Sequence, residues 1–305
     1  MCRFSDWLAE HKDAKVAAME KTAFVFAGGG SLGAIEAGML RELIASDVYP
    51  DLVVGASAGA INSAFFAFQP HMTGALALEL LWRGTRREHV MPWSILAILG
   101  ALGIFGARGT HLVSSAKLRA FLYLQFGDKQ LENSSLPVYV VATEMKTGNE
   151  VVLSSGSVVD AVLASTAIPG VFPPVLVAGN MLIDGGVANN TPISTAIRLG
   201  ATRVIVLSTG FTCAERRPPR GALEHAMRAL NLLVARQLLV DLERWASHAA
   251  ITVVAPLCPL DVSPYDYSQS GALIERAANE TRLWLASGGL DRRDIPGALI
   301  PHSHS

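Results

Sequence analysis

Early in the chain, two short apolar segments run directly into glycine clusters and then into runs of small residues. Thr22–Ala27 (TAFVFA) leads into Gly28-Gly29-Gly30-Ser31-Leu32-Gly33, and Asp51–Val54 leads into Gly55-Ala56-Ser57-Ala58-Gly59. A strand that turns at once into a helix leaves no room for side chains at the turn, and such junctions belong to α/β layers. The rest of the pattern agrees. After the first cluster, Ile35, Met39, Leu40, Leu43 and Ile44 recur at helical spacing within Ala34–Ser46. Further strands are expected at Val138–Thr143, Val151–Leu153, Met181–Ile183, Arg203–Leu207 and Ile251–Val254. Helices are expected at Ser157–Ser165, Thr191–Leu199, Ala222–Ala250 and Gln269–Ala286. Strands alternating with helices imply a mostly parallel sheet covered on both faces.

No repeat or composition break divides the chain. The expected organisation is a helical extension at 1–21, one domain at 22–290 and a tail at 291–305. Charged residues make up 17% of the 305 and apolar ones 50%, below the roughly 25% charge of an average soluble domain. A net charge of −1 supplies no field that would draw the chain onto nucleic acid. The odd set Cys2, Cys213 and Cys258 has no disulfide spacing, which points to a reducing, cytoplasmic compartment. Asp6, Glu10, Lys12, Asp13 and Glu20 are foreign to a secretory leader. The apolar run 93–107 is shorter than the roughly 20 residues of a spanning helix. Flanked by Arg83, Arg86, Arg87 and Arg108, it reads either as a buried helix or as a segment touching a membrane surface transiently.

Gly55-x-Ser57-x-Gly59 is the strongest chemical signal. A serine at the tip of a strand-to-helix turn is exposed for attack, and the turn tolerates only small neighbours such as Gly55, Ala56, Ala58, Gly59 and Ala60. The helix that follows aims its free N–H groups at any oxyanion formed there.

The first cluster also satisfies G-x-G-x-x-G, the dinucleotide fingerprint, which requires an acid at the end of the next strand. Asp47 precedes that strand, Asp51 opens it, and its far end carries Ser57 instead. A nucleotide cofactor is therefore not expected. An oxyanion loop, whose N–H groups no side chain shields, explains the consecutive glycines better. The second candidate is Asp184, at the end of a strand and followed by Gly185 and Gly186. A Ser-Asp-His triad would need His225 or His248, and both fall within or at the end of a long helical stretch. The eight histidines show no metal-ligand spacing, so no metal is expected.

Four blocks in order carry a resemblance: Gly28–Gly33, Gly55–Gly59, Ala164-Ser165-Thr166-Ala167-Ile168-Pro169, and Asp184-Gly185-Gly186. The chain resembles the patatin-like phospholipases. The resemblance implies a three-layer α/β/α sandwich and lipid acyl-ester hydrolysis by a Ser-Asp dyad, with no cofactor. By position it makes Ser57 the nucleophile, Asp184 the acid, and Gly28, Gly29, Gly30 and Ala58 the oxyanion hole. Gly33, Gly55, Gly59, Gly185, Gly186 and Pro169 become structural motif residues, and 166–175 lines the acyl pocket. Many members carry Arg or Lys where this chain has Leu32. A catalytically silent lipid-binding module is the non-enzymatic alternative.

Overall fold

The computed structural model of the chain describes residues 20–90, 113–210, 222–300 and 302. The expected N-terminal extension, apart from Glu20 and Lys21, and the apolar run 93–107 lie outside them.

The strands are β1 (Thr22–Phe26), β2 (Leu52–Ala56), β3 (Val138–Glu144), β4 (Glu150–Leu153), β5 (Val175–Val177), β6 (Asn180–Asp184), β7 (Arg203–Leu207) and β8 (Ala250–Val253). The helices are α1 (Gly33–Ala45), α2 (Ala58–Ala67), α3 (Met72–Gly84), α4 (Arg87–Val90), α5 (Ala116–Phe126), α6 (Val158–Ser165), α7 (Gly186–Asn189), α8 (Ile193–Arg198), α9 (Ala222–Trp245) and α10 (Ser270–Ala286). The sheet runs β5-β6-β3-β2-β1-β7-β8, with β4 on the other edge of β3. β1, β2, β3, β7 and β8 are parallel, while β4 and β6 run antiparallel to β3.

Strand periodicity builds the layers. Phe24, Phe26, Val53, Val140, Ile205 and Leu207 face one core, with α1, α2, α5, α6 and α10. Ala23, Val25, Val54, Val141, Val204 and Val206 face the other, with α8, α9 and Leu299. The α/β/α sandwich is therefore what the sequence implied. Leu299 is buried in the second core, and Ile295 packs against the same core.

β3 positions the site by exchanging partners along one edge. Val140 pairs with Gly55 of β2 and Leu153 of β4, so those strands flank β3 on opposite sides. Ala142 pairs with Val151 of β4 and with Asp184 of β6. β6 thus takes the edge that β2 leaves at Ala56, and the residue after β2 meets the last residue of β6 end to end.

Candidate active site

Ser57 follows β2 as the expected elbow. Its backbone sits at φ 53° and ψ −121°, a left-handed-region geometry that costs a non-glycine residue about 1–3 kcal/mol and persists only where the surroundings enforce it. Here they do. A Cβ on Gly55 would strike the carbonyl of Gly59, and one on Gly59 would strike the carbonyl of Phe26, so β2, α2 and β1 close on the turn. The Ser57 N–H donates to the Ser165 hydroxyl at 2.9 Å, which itself donates to the Val141 carbonyl at 2.5 Å. Ser165 thereby ties the elbow to β3, a role that its place in the third sequence block did not disclose.

The Ser57 hydroxyl donates to Asp184 Oδ2 at 2.7 Å. The other carboxylate oxygen accepts the Gly186 N–H at 2.7 Å, which fixes the carboxyl plane. The main chain of Asp184 is held as firmly: its N–H donates to the Ala167 carbonyl, and its carbonyl accepts from the buried Thr143 hydroxyl. Gly185 lies against the Val141 carbonyl, closer than a Cβ would allow. Burial pushes the Asp184 carboxyl up to about 6, against the Ser57 and Gly186 hydrogen bonds that pull it down.

The glycine loop divides by position. Gly28 differs from the expectation for it as a donor. Its N–H is committed to the Asn190 carbonyl at 3.0 Å, and its carbonyl accepts from Asn190 Nδ2 and from Thr209. Gly28 is therefore a tether of the loop. The N–H groups of Gly29, Gly30 and Ala58 donate to no atom among the described residues. Gly30 has φ +59° and lies against the Pro264 carbonyl, so only glycine fits. Leu32 is buried in the core and borders no part of the cleft.

A polar network missed by sequence reading holds the loop from behind. Buried Glu36 of α1 accepts the Ala27 N–H at 2.6 Å and Asn62 Nδ2 at 2.7 Å, while Asn62 Oδ1 accepts the Trp82 indole N–H. Its signal was an acid at a core-facing position of an apolar helix.

Ser57 stands where two arms of one cleft meet. The first arm is lined by Ile61, Leu81, Trp82, Leu118, Phe121 and Phe172 among others, and is mostly apolar. Thr166, Ile168 and Phe172 of the expected pocket segment border it. The second contains Asp184, Gly28, Gly29, Pro169, Gly186 and Asn190, and α9 adds Leu230, Asn231 and Val234. No histidine borders either arm among the described residues; His225 and His248 are exposed on or after α9. Arg83, one of the basic residues before the apolar run, pairs with Glu275. Among the described residues no helix is long and apolar enough to cross a membrane.

Two solved structures resemble the chain at low identity. Human GIVD cytosolic phospholipase A2, solved with methyl gamma-linolenyl fluorophosphonate, gives a TM-score of 0.47 at 11% identity, over 92% of this chain and 59% of that one. VipD from Legionella pneumophila gives 0.45 at 15% identity, over 88% and 67%. Among curated proteins, the uncharacterized NTE family protein Rv2565 of Mycobacterium tuberculosis is 31% identical over 195 residues, 61% of this chain and 31% of that protein. Human patatin-like phospholipase domain-containing protein 6 is 29% identical over 213 residues, 68% of this chain and 15% of that protein. The chain spans less than a third of the length of either. The family model for patatin-like phospholipase matches residues 24–197, from the first strand through the elbow to beyond the acid, and the chain belongs to that family.

Proposed function

We propose that the chain is a serine acyl hydrolase that cleaves carboxylic esters of lipids, phospholipid or lysophospholipid in the first instance, through a Ser57–Asp184 dyad. The observation that carries this reading is the 2.7 Å hydrogen bond from Ser57 to Asp184 at the mouth of an apolar arm. Ser57 Oγ attacks the ester carbonyl while Asp184 takes its proton. A carboxylate is an ordinary base of low pKa in water, and burial that raises Asp184 to about 6 makes it a better one. Charge developing on the carbonyl oxygen meets the N–H groups of Gly29, Gly30 and Ala58, which have no other partner among the described residues. The C–O bond breaks, the alcohol departs with the proton held by Asp184, and water then releases the acyl group. The apolar arm gives the acyl chain a dry seat. No histidine and no cofactor enters these steps.

Two measurements test it. A fluorophosphonate probe should label Ser57 covalently. Ser57→Ala should lose hydrolysis of lipid and p-nitrophenyl esters by at least about 10⁴-fold with its fold intact, the scale of removing an enzymatic nucleophile. Activity retained by this variant would end the proposal. His225→Ala and His248→Ala should both stay active, and loss in either would replace the dyad by a triad.

A further inference from the structure

The two arms of the cleft share four lining residues: Gly30, Ser57, Ile168 and Tyr265. Gly30 and Ile168 offer no side-chain proton. Among the described residues, Tyr265 is therefore the only hydroxyl-bearing residue besides Ser57 that borders both arms. Of the other polar side chains nearby, Tyr267 borders the first arm alone, and two more are engaged. Thr166 donates to carbonyls of its own helix, and the Asn190 amide donates to Gly28. The Tyr265 hydroxyl makes no hydrogen bond among the described residues.

Its position is fixed from the glycine loop. Ser31 donates its N–H to the Pro264 carbonyl at 2.8 Å and its hydroxyl to the Ser263 carbonyl at 3.2 Å. On the other side, Asp266 accepts from the Ser268 N–H at 2.9 Å, and Tyr267 stacks on Trp82 with ring centroids 6.5 Å apart. The segment that carries Tyr265 is thus pinned to the loop that would hold the oxyanion. Burial and the charge of Asp184 push the Tyr265 phenol up to about 12, so it keeps its proton at any working pH.

We propose that Tyr265 is a further catalytic residue of this site: its hydroxyl donates a hydrogen bond to the leaving-group oxygen of the ester, and the second arm receives the alcohol part of the substrate. This rests on the Ser57–Asp184 reading. The balance of the acylation step is unchanged. The bond from Ser57 Oγ to the carbonyl carbon forms and the bond to the leaving oxygen breaks. The proton passes from Ser57 to Asp184 and on to the leaving oxygen. Tyr265 transfers no proton; it stabilises the negative charge that builds on that oxygen before the proton arrives. In the second step the attacking water occupies the same place. Asn231, whose side chain has no partner among the described residues, lies further along the alcohol arm.

A donor to a leaving group matters in proportion to how poor that leaving group is. The experiment compares two esters of one fatty acid, its p-nitrophenyl ester and its ethyl ester, with wild type and Tyr265→Phe. kcat/KM reports the acylation step for both. Tyr265→Phe should lose about 10–100-fold on the ethyl ester, and its loss on the p-nitrophenyl ester should be at least about ten times smaller. Tyr265→Leu, the second variant should Phe disturb the fold, should show the same selective loss. A loss equal on both esters, as packing damage would give, or no loss on either, overturns the proposal. Fluorophosphonate labelling of Ser57 separates the two readings. Labelled enzyme without leaving-group selectivity sinks only the Tyr265 proposal, while unlabelled wild type sinks the dyad beneath it.

Discussion

Ser57 and Asp184 touch, yet the parts of the sheet that carry them are built by different means. β2 lies between β1 and β3, and every one of its residues is buried. The elbow after it is closed by backbone against backbone, with Gly55 and Gly59 in contact with carbonyl groups. β6 is exposed at Asn180 and Met181 and buried only at Leu182 and Asp184, pairs with β3 only over its last residues, and has the three-residue β5 as its outer neighbour. There the acid is aimed by hydrogen bonds: the Gly186 N–H and the Thr143 hydroxyl donate to it, and its own N–H donates to the Ala167 carbonyl. One half of the site is thus a packing solution and the other a polar one. Damage to the first should appear as loss of fold, and damage to the second as loss of function in a folded protein.

The largest expected effect tests the packed half. Gly59→Val would drive a side chain into the Phe26 carbonyl, which is main chain and cannot swing away. A backbone collision inside the core should cost several kcal/mol, on the order of the whole margin of a marginally stable domain. Soluble yield and the circular dichroism melt would show it. A Gly59→Val variant that folds normally would mean that the turn is not closed by packing. The next effect tests the polar half. Asp184→Asn keeps shape and volume but cannot accept the Ser57 proton, and should lose about 10²–10⁴-fold in kcat/KM while melting at least as high as wild type near neutral pH. If that variant unfolded instead, the contrast between the halves would fail.

The same division decided what could be read from the sequence. The packed half leaves a mark on composition. Crowding admits only Gly and Ala, so the elbow and its strand stood out, with the strand end displaced from Val54 to Ala56. Asp184 was legible as an acid closing a strand before two glycines. The antiparallel hairpin was not: β5 has three residues after a Pro-Pro pair, and its central Leu176 is exposed, so no alternation announces it. Helices α3 and α5 escaped for a related reason. Exposed Leu76 and Leu80 in α3, and exposed Tyr123 and Leu124 in α5, blur the apolar stripe on which the period depends. Tyr265 left no local signal at all. It belongs to a segment without periodicity, and its meaning comes from contacts of Ser31 with Ser263 and Pro264, far away in the chain.

The smallest expected effect is the pH dependence, and it belongs to the polar half alone. Asp184 must be ionised to take the Ser57 proton, so kcat/KM should rise with pH and level off above about 6, not near the ordinary carboxylate value of 3.8. Stability should move the other way. A carboxyl whose pKa is raised on folding holds its proton more tightly in the folded chain than in the unfolded one. The stability it contributes is complete below its unfolded pKa and is lost as pH rises through about 6. Asp184→Asn carries no such titration. Its melting temperature relative to wild type should therefore climb by about 2–4 °C between about pH 5 and about pH 7. Elbow variants that still fold should keep the wild-type direction of this trend, because no group of the elbow other than the Ser57 hydroxyl enters the environment that sets it. A kcat/KM limb near pH 4, together with a melting difference flat across the window, would show Asp184 to be solvated, and the acid would then be held no more tightly than a surface carboxylate.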